Sequence, residues 1–126
     1  LVHKGARLIG CNSDLTCPTE EGMMPACRAL IAPIEMVTGQ NAYFVGKPNP
    51  VMMRTGLKLL GVHSQDAAII GDRMDTDIVA GIESGLDTLL VLSGVTRRED
   101  LAHSPYRPRL VLDGVGKIPP ASAEAA

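Results

Sequence analysis

An α/β fold with a parallel sheet is the architecture that this sequence predicts, on two observations. Apolar runs of strand length, such as Ala67–Ile70 and Thr88–Leu92, alternate with stretches of helical spacing. Glycine and polar residues follow these runs, at Gly71-Asp72 and at Ser93-Gly94. Alternating strands and helices form parallel sheets with the strands buried on both faces, and chemistry gathers at the carboxyl ends of those strands. We therefore expect a functional site at that edge.

The individual elements follow from apolar spacing and from turn residues. Ala26–Val37 has helical spacing, although Pro33 is expected to kink this helix or to shift its start. A second helix is expected to begin at Pro50, capped by Asn49, and to end before Gly61. The other predicted elements are strands at Ala6–Cys11, Ala42–Val45 and Arg109–Leu112, helices at Asp75–Ser84 and Arg97–His103, and a loop at Pro18–Pro25.

Composition excludes several classes of function. The chain has 126 residues and a net charge of −2, so no basic excess indicates a nucleic-acid partner. No apolar run reaches the roughly 20 residues of a membrane span, so we expect no membrane partner. Cys11, Cys17 and Cys27 are too few and too loosely spaced for a disulfide framework or a zinc site. Reduced thiols predict a cytoplasmic protein.

Three carboxylates lie within six residues in the segment 71–77, at Asp72, Asp75 and Asp77. Crowded carboxylates repel, and a hard divalent cation such as Mg²⁺ is their natural partner. The alternative is capping, with Asp75 as helix cap and Asp77 at the positive end of the helix. A calcium loop does not fit, because Met74 stands at a ligand position and Asp77 where glycine is needed.

Lys47 follows the predicted strand Ala42–Val45 and is held in a stiff turn by Pro48. A fixed ammonium group near carboxylates can neutralise phosphate and orient an attacking group. Single surface lysines are common, so the argument depends on the setting. Lys47 and Asp72 each end one of two predicted strands separated by one helix, and we expect them to converge on one magnesium–phosphate pocket.

These motifs together resemble the haloacid dehalogenase (HAD) superfamily of hydrolases, most closely its NagD-like, p-nitrophenyl phosphatase and phosphoglycolate phosphatase branch. The resemblance is carried by the third and fourth motifs of that superfamily, here Gly46-Lys47-Pro48-Asn49-Pro50 and Gly71-Asp72-Arg73-Met74-Asp75-Thr76-Asp77-Ile78. Three further segments fit the same branch: Asn12-Ser13-Asp14-Leu15-Thr16, Pro18-Thr19-Glu20-Glu21-Gly22 and Leu90-Val91-Leu92-Ser93-Gly94-Val95-Thr96.

The resemblance implies a phosphatase that forms an aspartyl-phosphate and acts on a small phosphorylated metabolite such as a nucleotide, sugar phosphate or phosphoglycolate. It implies that Lys47 is catalytic and that Asp72 and Asp77 bind Mg²⁺. Asn12 and Asp14 fall in a loop that faces the substrate in this branch, with a plain Asx turn as the alternative. Ser13 stands where the branch usually has proline.

By the same resemblance, residues 1–44 are the remnant of a cap domain and residues 45–118 are the C-terminal half of a HAD-like Rossmannoid core. A disordered tail is predicted at 119–126. The Asp-x-Asp-Gly-Thr motif that carries the nucleophile does not occur in the sequence, so the chain alone is expected to be inactive.

Without the strand of the nucleophile, an apolar sheet edge is expected to be exposed, and a complementing N-terminal segment or a second copy would cover it. The alternative function is a non-catalytic metal-binding, phosphate-binding or interaction protein derived from the same fold.

Overall fold

The structure is a computed structural model that describes residues 1–119. The chain divides into two compact units, one spanning Leu1–Gly56 and the other beginning at Leu57. This division falls twelve residues beyond residue 44, the predicted end of the cap remnant, and the assignment of 1–44 to a cap stays a prediction. The predicted disordered tail lies, from residue 120 onward, outside the described residues.

The first unit contains two small sheets and one long helix. Strand β1 (Ile9–Gly10) pairs in parallel with β4 (Tyr43–Phe44), and the helix α1 (Cys27–Thr38) lies between them in the chain. Gly39 ends α1 in the left-handed conformation, and its N–H donates to the carbonyl of Glu35. The helix includes Pro33 and begins one residue after the predicted Ala26.

The segment 18–25, predicted as a loop, is part of an antiparallel hairpin. Strand β2 (Thr16–Thr19) pairs with β3 (Gly22–Pro25), and the residues Glu20 and Glu21 form the turn. Gly22 has a φ of 127°, a conformation that favours glycine. All eight strand residues are exposed, so neither strand has a buried apolar face. The sequence therefore lacks the alternation of apolar and polar residues by which strands are predicted, and the hairpin was missed.

Helix α2 (Pro50–Leu60) has the bounds that the sequence predicts. The side-chain carboxamide oxygen of Asn49 accepts a hydrogen bond of 3.0 Å from the N–H of Val51, which satisfies one unpaired donor of the first turn. Gly61 follows the last residue with a φ of 69°. Local cap and stop residues therefore determine this helix.

The second unit is built on a three-stranded parallel sheet in the order β5 (Ala68–Gly71), β6 (Asp87–Val91), β7 (Leu110–Leu112). A π-helical turn (Met74–Ile78) leads into the short helix α3 (Val79–Glu83), and a 3₁₀ helix (Arg98–His103) precedes β7. The buried apolar side chains of the described residues all belong to this unit: Ile78, Ala80, Leu90 and Val91.

Strand β5 is less buried than its apolar sequence predicts. Ala68 and Ile70 are exposed, and the side chain of Ile70 is 46% accessible. Within residues 1–119, β5 has β6 as its hydrogen-bonded neighbour, so it is an edge strand. An apolar sequence alone does not distinguish a central strand from an edge strand, and burial on both faces is therefore a wrong prediction for β5.

Two contacts fasten β7 to β6. The N–H of Arg109 donates to the hydroxyl oxygen of Thr88 at 3.1 Å, and Thr88 is 2% exposed. The Arg109 guanidinium also forms an ion pair with Asp87, which holds the pKa of that carboxyl below its usual range. Within residues 1–119, no helix is long and apolar enough to cross a bilayer.

Packing against Gly81 generates the first prediction. A Cβ at this position would lie 2.4 Å from Cγ2 of Ile69 and 2.5 Å from Cγ2 of Thr88, and both side chains are stiff because they branch at Cβ. We expect Gly81→Ala to lower the urea midpoint of unfolding, since overpacking costs about 1–3 kcal/mol and outweighs the helix gain of at most ~1 kcal/mol.

The matched control is Gly56→Ala in α2, where a Cβ would meet no atom within 4 Å. This change should raise the urea midpoint through helix propensity alone. An equal rise for both variants would contradict the close packing of α3 on the sheet.

The Asp87–Arg109 ion pair generates the second prediction. The pKa of Asp87 is lower in the folded chain than the roughly 3.9 of an unfolded one, so the pair favours folding above that value. Its contribution disappears as the pH falls through the folded pKa. Asp87→Asn should therefore lower the urea midpoint at pH 7, and its difference from the parent should shrink below about pH 4.

Asp66→Asn is the control, because it removes an exposed carboxylate for which residues 1–119 show no ion pair. A difference between Asp87→Asn and the parent that is the same at pH 7 and in acid would contradict the role of the ion pair.

Candidate functional site

In the first unit, the loops that follow β1 and β4 lie side by side. The two strands pair in parallel with Gly10 opposite Phe44, so their carboxyl ends are at the same edge of the sheet. Asn12 and Asp14 follow β1, and Lys47 follows β4. The structure therefore brings together the two loops that carry these residues, which the sequence singled out for substrate binding and for catalysis.

Gly46 allows this close approach. A Cβ on Gly46 would lie 2.2 Å from the carbonyl oxygen of Cys11 and 3.2 Å from Cα of Asn12. The hydroxyl of Ser13 donates to the carbonyl of Lys47 at 3.5 Å, so the two loops also touch through a polar contact. Only a glycine at position 46 keeps the backbone of the lysine loop against the backbone of the Asn12 loop.

Asn12 forms the Asx turn that was the alternative to substrate binding. Its side-chain oxygen accepts a hydrogen bond of 3.3 Å from the N–H of Asp14. The carbonyl of Asp14 accepts a hydrogen bond of 3.0 Å from the N–H of Arg28, near the start of α1. These bonds fix the shape of the loop, while the substrate-binding role of Asn12 and Asp14 stays a prediction.

Asn49 does more than cap α2. Its side-chain N–H donates to the carbonyl of Phe44 at 2.7 Å, and its backbone N–H donates to the carbonyl of Gly46 at 2.9 Å. One residue therefore joins the end of β4 to the start of α2 across the lysine turn, in which the Lys47–Pro48 peptide bond is cis. The sequence indicated the cap alone, because the contacts to Phe44 and Gly46 depend on how the turn closes.

A charged network that the sequence analysis missed holds α1 to β4. Glu35 is 9% exposed and forms an ion pair with Arg28, with a distance of 3.3 Å between Oε2 and Nη2. Its other oxygen accepts a hydrogen bond of 2.7 Å from the N–H of Ala42. The Arg28 guanidinium lies 5.1 Å from the centre of the Phe44 ring, within the range of a cation–π contact. The one sequence signal for this ion pair was the spacing of seven residues between Arg28 and Glu35, which is about two turns of a helix.

In the second unit, Asp72 follows the last residue of β5. Its carboxylate oxygen Oδ2 accepts a hydrogen bond of 2.7 Å from the N–H of Val95, in the loop after β6. Gly94 gives this carboxylate its space, because a Cβ there would lie 2.0 Å from Oδ2 and 2.5 Å from Cβ of Asp72. The loops after two neighbouring parallel strands thus meet at the carboxylate of Asp72.

Asp77 lies in the π-helical turn and is 3% exposed. Its oxygen Oδ2 accepts hydrogen bonds from the N–H groups of Asp72 at 3.2 Å and Arg73 at 3.1 Å. A Cβ on Gly71 would lie 2.2 Å from Cβ of Asp77, so the backbone of the loop passes directly over this carboxylate. Asp77 therefore holds the backbone of the loop that carries Asp72.

Arg73 and Asp75 pair with each other. The guanidinium donates to both oxygens of the Asp75 carboxylate, at 3.1 and 2.8 Å. The hydrogen bond with Arg73 is the main cause that holds the pKa of Asp75 below its ordinary value. The helical turn begins after Arg73 without a side-chain cap, so the alternative in which Asp75 caps it is wrong.

The donors fit Mg²⁺ as part of a coordination shell. Mg²⁺ is usually bound by one or two carboxylates together with water and substrate phosphate, and Asp72 and Asp77 are two hard oxygen donors in one loop. The side chain of Asp72 has its hydrogen bond to Val95 on Oδ2, and Oδ1 takes no part in that bond. Within residues 1–119, no group of three or more histidine, cysteine or acidic side chains forms a complete metal cage.

Each unit thus contains one part of the predicted site. The first unit holds Lys47 with the loop of Asn12 and Asp14, and the second holds Asp72 with Asp77. The convergence of Lys47 and Asp72 on one pocket stays a prediction.

Comparison with known proteins gives a consistent result. A family model described as HAD-hydrolase-like matches residues 44–118. The chain is 43% identical over 118 residues to the dihydroxyacetone phosphatase of Corynebacterium glutamicum, covering 94% of this chain and 43% of that protein. It is 42% identical over 117 residues to the ribonucleotide monophosphatase NagD of Escherichia coli, covering 93% of this chain and 46% of that protein.

Solved structures agree with these relatives. A thermostable NPPase from Geobacillus stearothermophilus superposes with a TM-score of 0.85 at 43% identity, over 94% of this chain and 46% of that one. NagD from E. coli gives a TM-score of 0.84 at 41% identity, over 94% of this chain and 46% of that one. The chain spans less than half the length of the curated relatives it matches. The family model and these relatives show that the chain belongs to the HAD-like hydrolases, in their NagD-like branch.

Proposed function

We propose that this chain is the C-terminal part of a Mg²⁺-dependent phosphatase that hydrolyses small phosphate monoesters through an aspartyl-phosphate. The observation that supports this most is the carboxylate loop after β5, in which backbone N–H groups hold Asp72 and Asp77. Residues 1–44 are proposed to be the end of a cap domain and residues 45–118 the second half of the catalytic core.

The substrate class rests on the names of the relatives. They are called dihydroxyacetone phosphatase, ribonucleotide monophosphatase, 5′-nucleotidase and acid sugar phosphatase. All these names describe small metabolites that carry a phosphate ester. We therefore propose a nucleotide, a sugar phosphate or a compound of the phosphoglycolate type as substrate, with Asn12 and Asp14 contacting the part of the molecule beyond the phosphate.

The proposed roles follow from charge and position. Lys47 is a cation on a turn held at both ends by Asn49, suited to neutralise phosphate oxygens and to steady the attacking group. Asp72 and Asp77 would hold Mg²⁺. When bound, Mg²⁺ supplies the positive charge that offsets negative charge developing on the phosphate oxygens. Asp77 in addition fixes the loop backbone that carries Asp72.

The Asp-x-Asp-Gly-Thr motif does not occur in this sequence, and we propose that another segment supplies the nucleophile. Strand β5 has one hydrogen-bonded neighbour within the described residues, and its Ile70 is exposed. An apolar edge of this kind accepts a further strand. The proposed partner is a complementing N-terminal segment that bears Asp-x-Asp-Gly-Thr, with a second copy of the chain as the other candidate. The proposed location is the cytoplasm.

Turnover tests the catalytic proposal. The chain alone should release no phosphate from p-nitrophenyl phosphate, because the group that attacks phosphorus is missing from it. Joined behind the N-terminal part of NagD from E. coli, which the family resemblance implies carries that motif, it should gain activity. In this fusion, Lys47→Ala should lower kcat by about 100-fold or more, since it removes a charge aimed at the reacting phosphate.

Lys58→Ala is the matched control, because Lys58 is exposed on α2. Turnover by the chain alone at the rate of the fusion would contradict the proposal. A fusion that folds and binds Mg²⁺ but never turns over would instead support the alternative, a non-catalytic metal-binding or phosphate-binding protein.

Calorimetric titration with Mg²⁺ tests the metal proposal on the 126-residue chain itself. Asp72→Asn removes a charged oxygen donor with little change in shape, and we expect a loss of at least about tenfold in affinity. Asp66→Asn removes the same charge from an exposed turn before β5 and should leave the affinity unchanged. Equal affinity in the parent and Asp72→Asn would show that Asp72 is not a ligand.

A further inference from the structure

We propose that Thr96 is a positioning residue for Asp72, and that the segment Ser93–Thr96 orients this carboxylate for its cation. The inference rests on the proposed function, in which Asp72 is a ligand of Mg²⁺. It concerns a segment that follows a different strand from the one that carries the aspartate, and that lies about twenty residues further along the chain.

Three hydrogen bonds join the two loops. The N–H of Val95 donates to Oδ2 of Asp72 at 2.7 Å, and the N–H of Thr96 donates to the backbone carbonyl of Asp72 at 3.0 Å. The N–H of Met74 donates to the hydroxyl oxygen of Thr96 at 3.2 Å. Asp72 is thus held at its carboxylate by Val95 and at its backbone by Thr96. Thr96 also holds the backbone of Met74.

Thr96 is the buried member of an exposed segment. It is 7% accessible, whereas Ser93, Gly94 and Val95 are all exposed. Burying a hydroxyl is unfavourable unless it forms hydrogen bonds, and this hydroxyl accepts one from the aspartate loop. A β-branched side chain also has a restricted χ1 angle, which keeps the hydroxyl at one position. These properties suit Thr96 to fix the register between the two loops.

Gly94 completes the arrangement by leaving space. Since a Cβ on this residue would collide with Cβ, Cγ and Oδ2 of Asp72, at 2.5, 2.5 and 2.0 Å, the carboxylate occupies the volume that any other residue would fill. The Cβ of Asp72 is attached to the backbone, so rotation of the side chain cannot relieve the collision. The segment therefore provides a space, a donor to one oxygen and an anchor for the backbone.

The chemical consequence is a preorganised ligand. The hydrogen bond from Val95 to Oδ2 restricts the orientation of the carboxylate and therefore the direction of its other oxygen. Partners that orient a metal ligand in this way typically contribute 10- to 100-fold to metal affinity, because the ligand need not be ordered on binding. The proposed role of Thr96 is thus to orient a metal ligand, whereas a structural hydrogen bond elsewhere in the sheet would contribute to stability alone.

Thr88 provides the matched comparison for a test. It is also buried, and its hydroxyl also accepts one backbone N–H, from Arg109 at 3.1 Å, at the point where β7 begins. Thr88→Val and Thr96→Val therefore remove the same kind of bond from the same unit. If Thr96 acted only through stability, both variants would change Mg²⁺ binding alike.

The experiment is a calorimetric Mg²⁺ titration of the 126-residue chain, its Thr88→Val, Thr96→Val and Thr96→Ser variants and Asp72→Asn, with urea unfolding of each. We expect Thr96→Val to weaken Mg²⁺ binding by about 10- to 100-fold and Thr96→Ser to restore most of it. Thr88→Val should lower the urea midpoint by a similar amount but keep the affinity. Equal losses in the two valine variants would overturn the inference.

Amide hydrogen exchange gives a readout without metal. The N–H of Val95 should exchange faster in Thr96→Val than in Thr88→Val, because its bond to Asp72 depends on the register set by Thr96. Unchanged protection of Val95 in Thr96→Val would also overturn the inference. If the parent chain bound no Mg²⁺, the proposed function would fail at Asp72, and the exchange of Val95 alone would decide whether Thr96 positions the carboxylate.

Discussion

Hydrogen bonds from backbone N–H groups to carboxylate oxygens are the interactions on which the second unit's site depends. Asp77 accepts two such bonds from the residues that begin the loop, and Asp72 accepts one from the loop after the neighbouring strand. Acidic side chains placed this close would otherwise repel. The backbone partners fix both carboxylates and offset part of that repulsion before a cation arrives.

In both units, a parallel pair of strands brings two functional loops to the same edge of a sheet. In the first unit, β1 and β4 deliver the Asn12 loop and the Lys47 loop to one sheet edge, and Gly46 lets their backbones touch. In the second unit, β5 and β6 deliver the Asp72 loop and the Thr96 loop to one edge, and Gly94 plays the same part. Short strands therefore suffice to position the polar groups, because it is the loops after them that meet.

The sequence predicted the features that local chemistry controls. Asn49, Pro50 and Gly61 determine α2 through a cap, a fixed φ and a left-handed stop, and each of these acts within a few residues. The motif around Lys47 and the loop from Asp72 to Asp77 were identified through family resemblance, and the comparisons confirm the family. In these stretches the residue types and their local order were enough to predict the helix and to identify the family motifs.

The remaining features depend on tertiary contacts. The hairpin β2–β3 has no buried face to create a strand pattern, and the exposure of Ile70 depends on which strands adjoin β5. The π-helical turn places the side chain of Asp77 against the backbone of Gly71, and this contact cannot be predicted from the spacing of the two residues in the sequence. Likewise, Thr96 could be recognised only once the loop after β6 was seen to contact Asp72.

The space left by Gly71 and Gly94 has a consequence for how this sequence can diverge. The smallest possible side chain at either position already collides with Asp77 or Asp72, so no gradual series of substitutions leads away from glycine while the aspartate keeps its place. Sterically, these two positions are thus as constrained as the acids they face, because replacing either glycine would displace its aspartate.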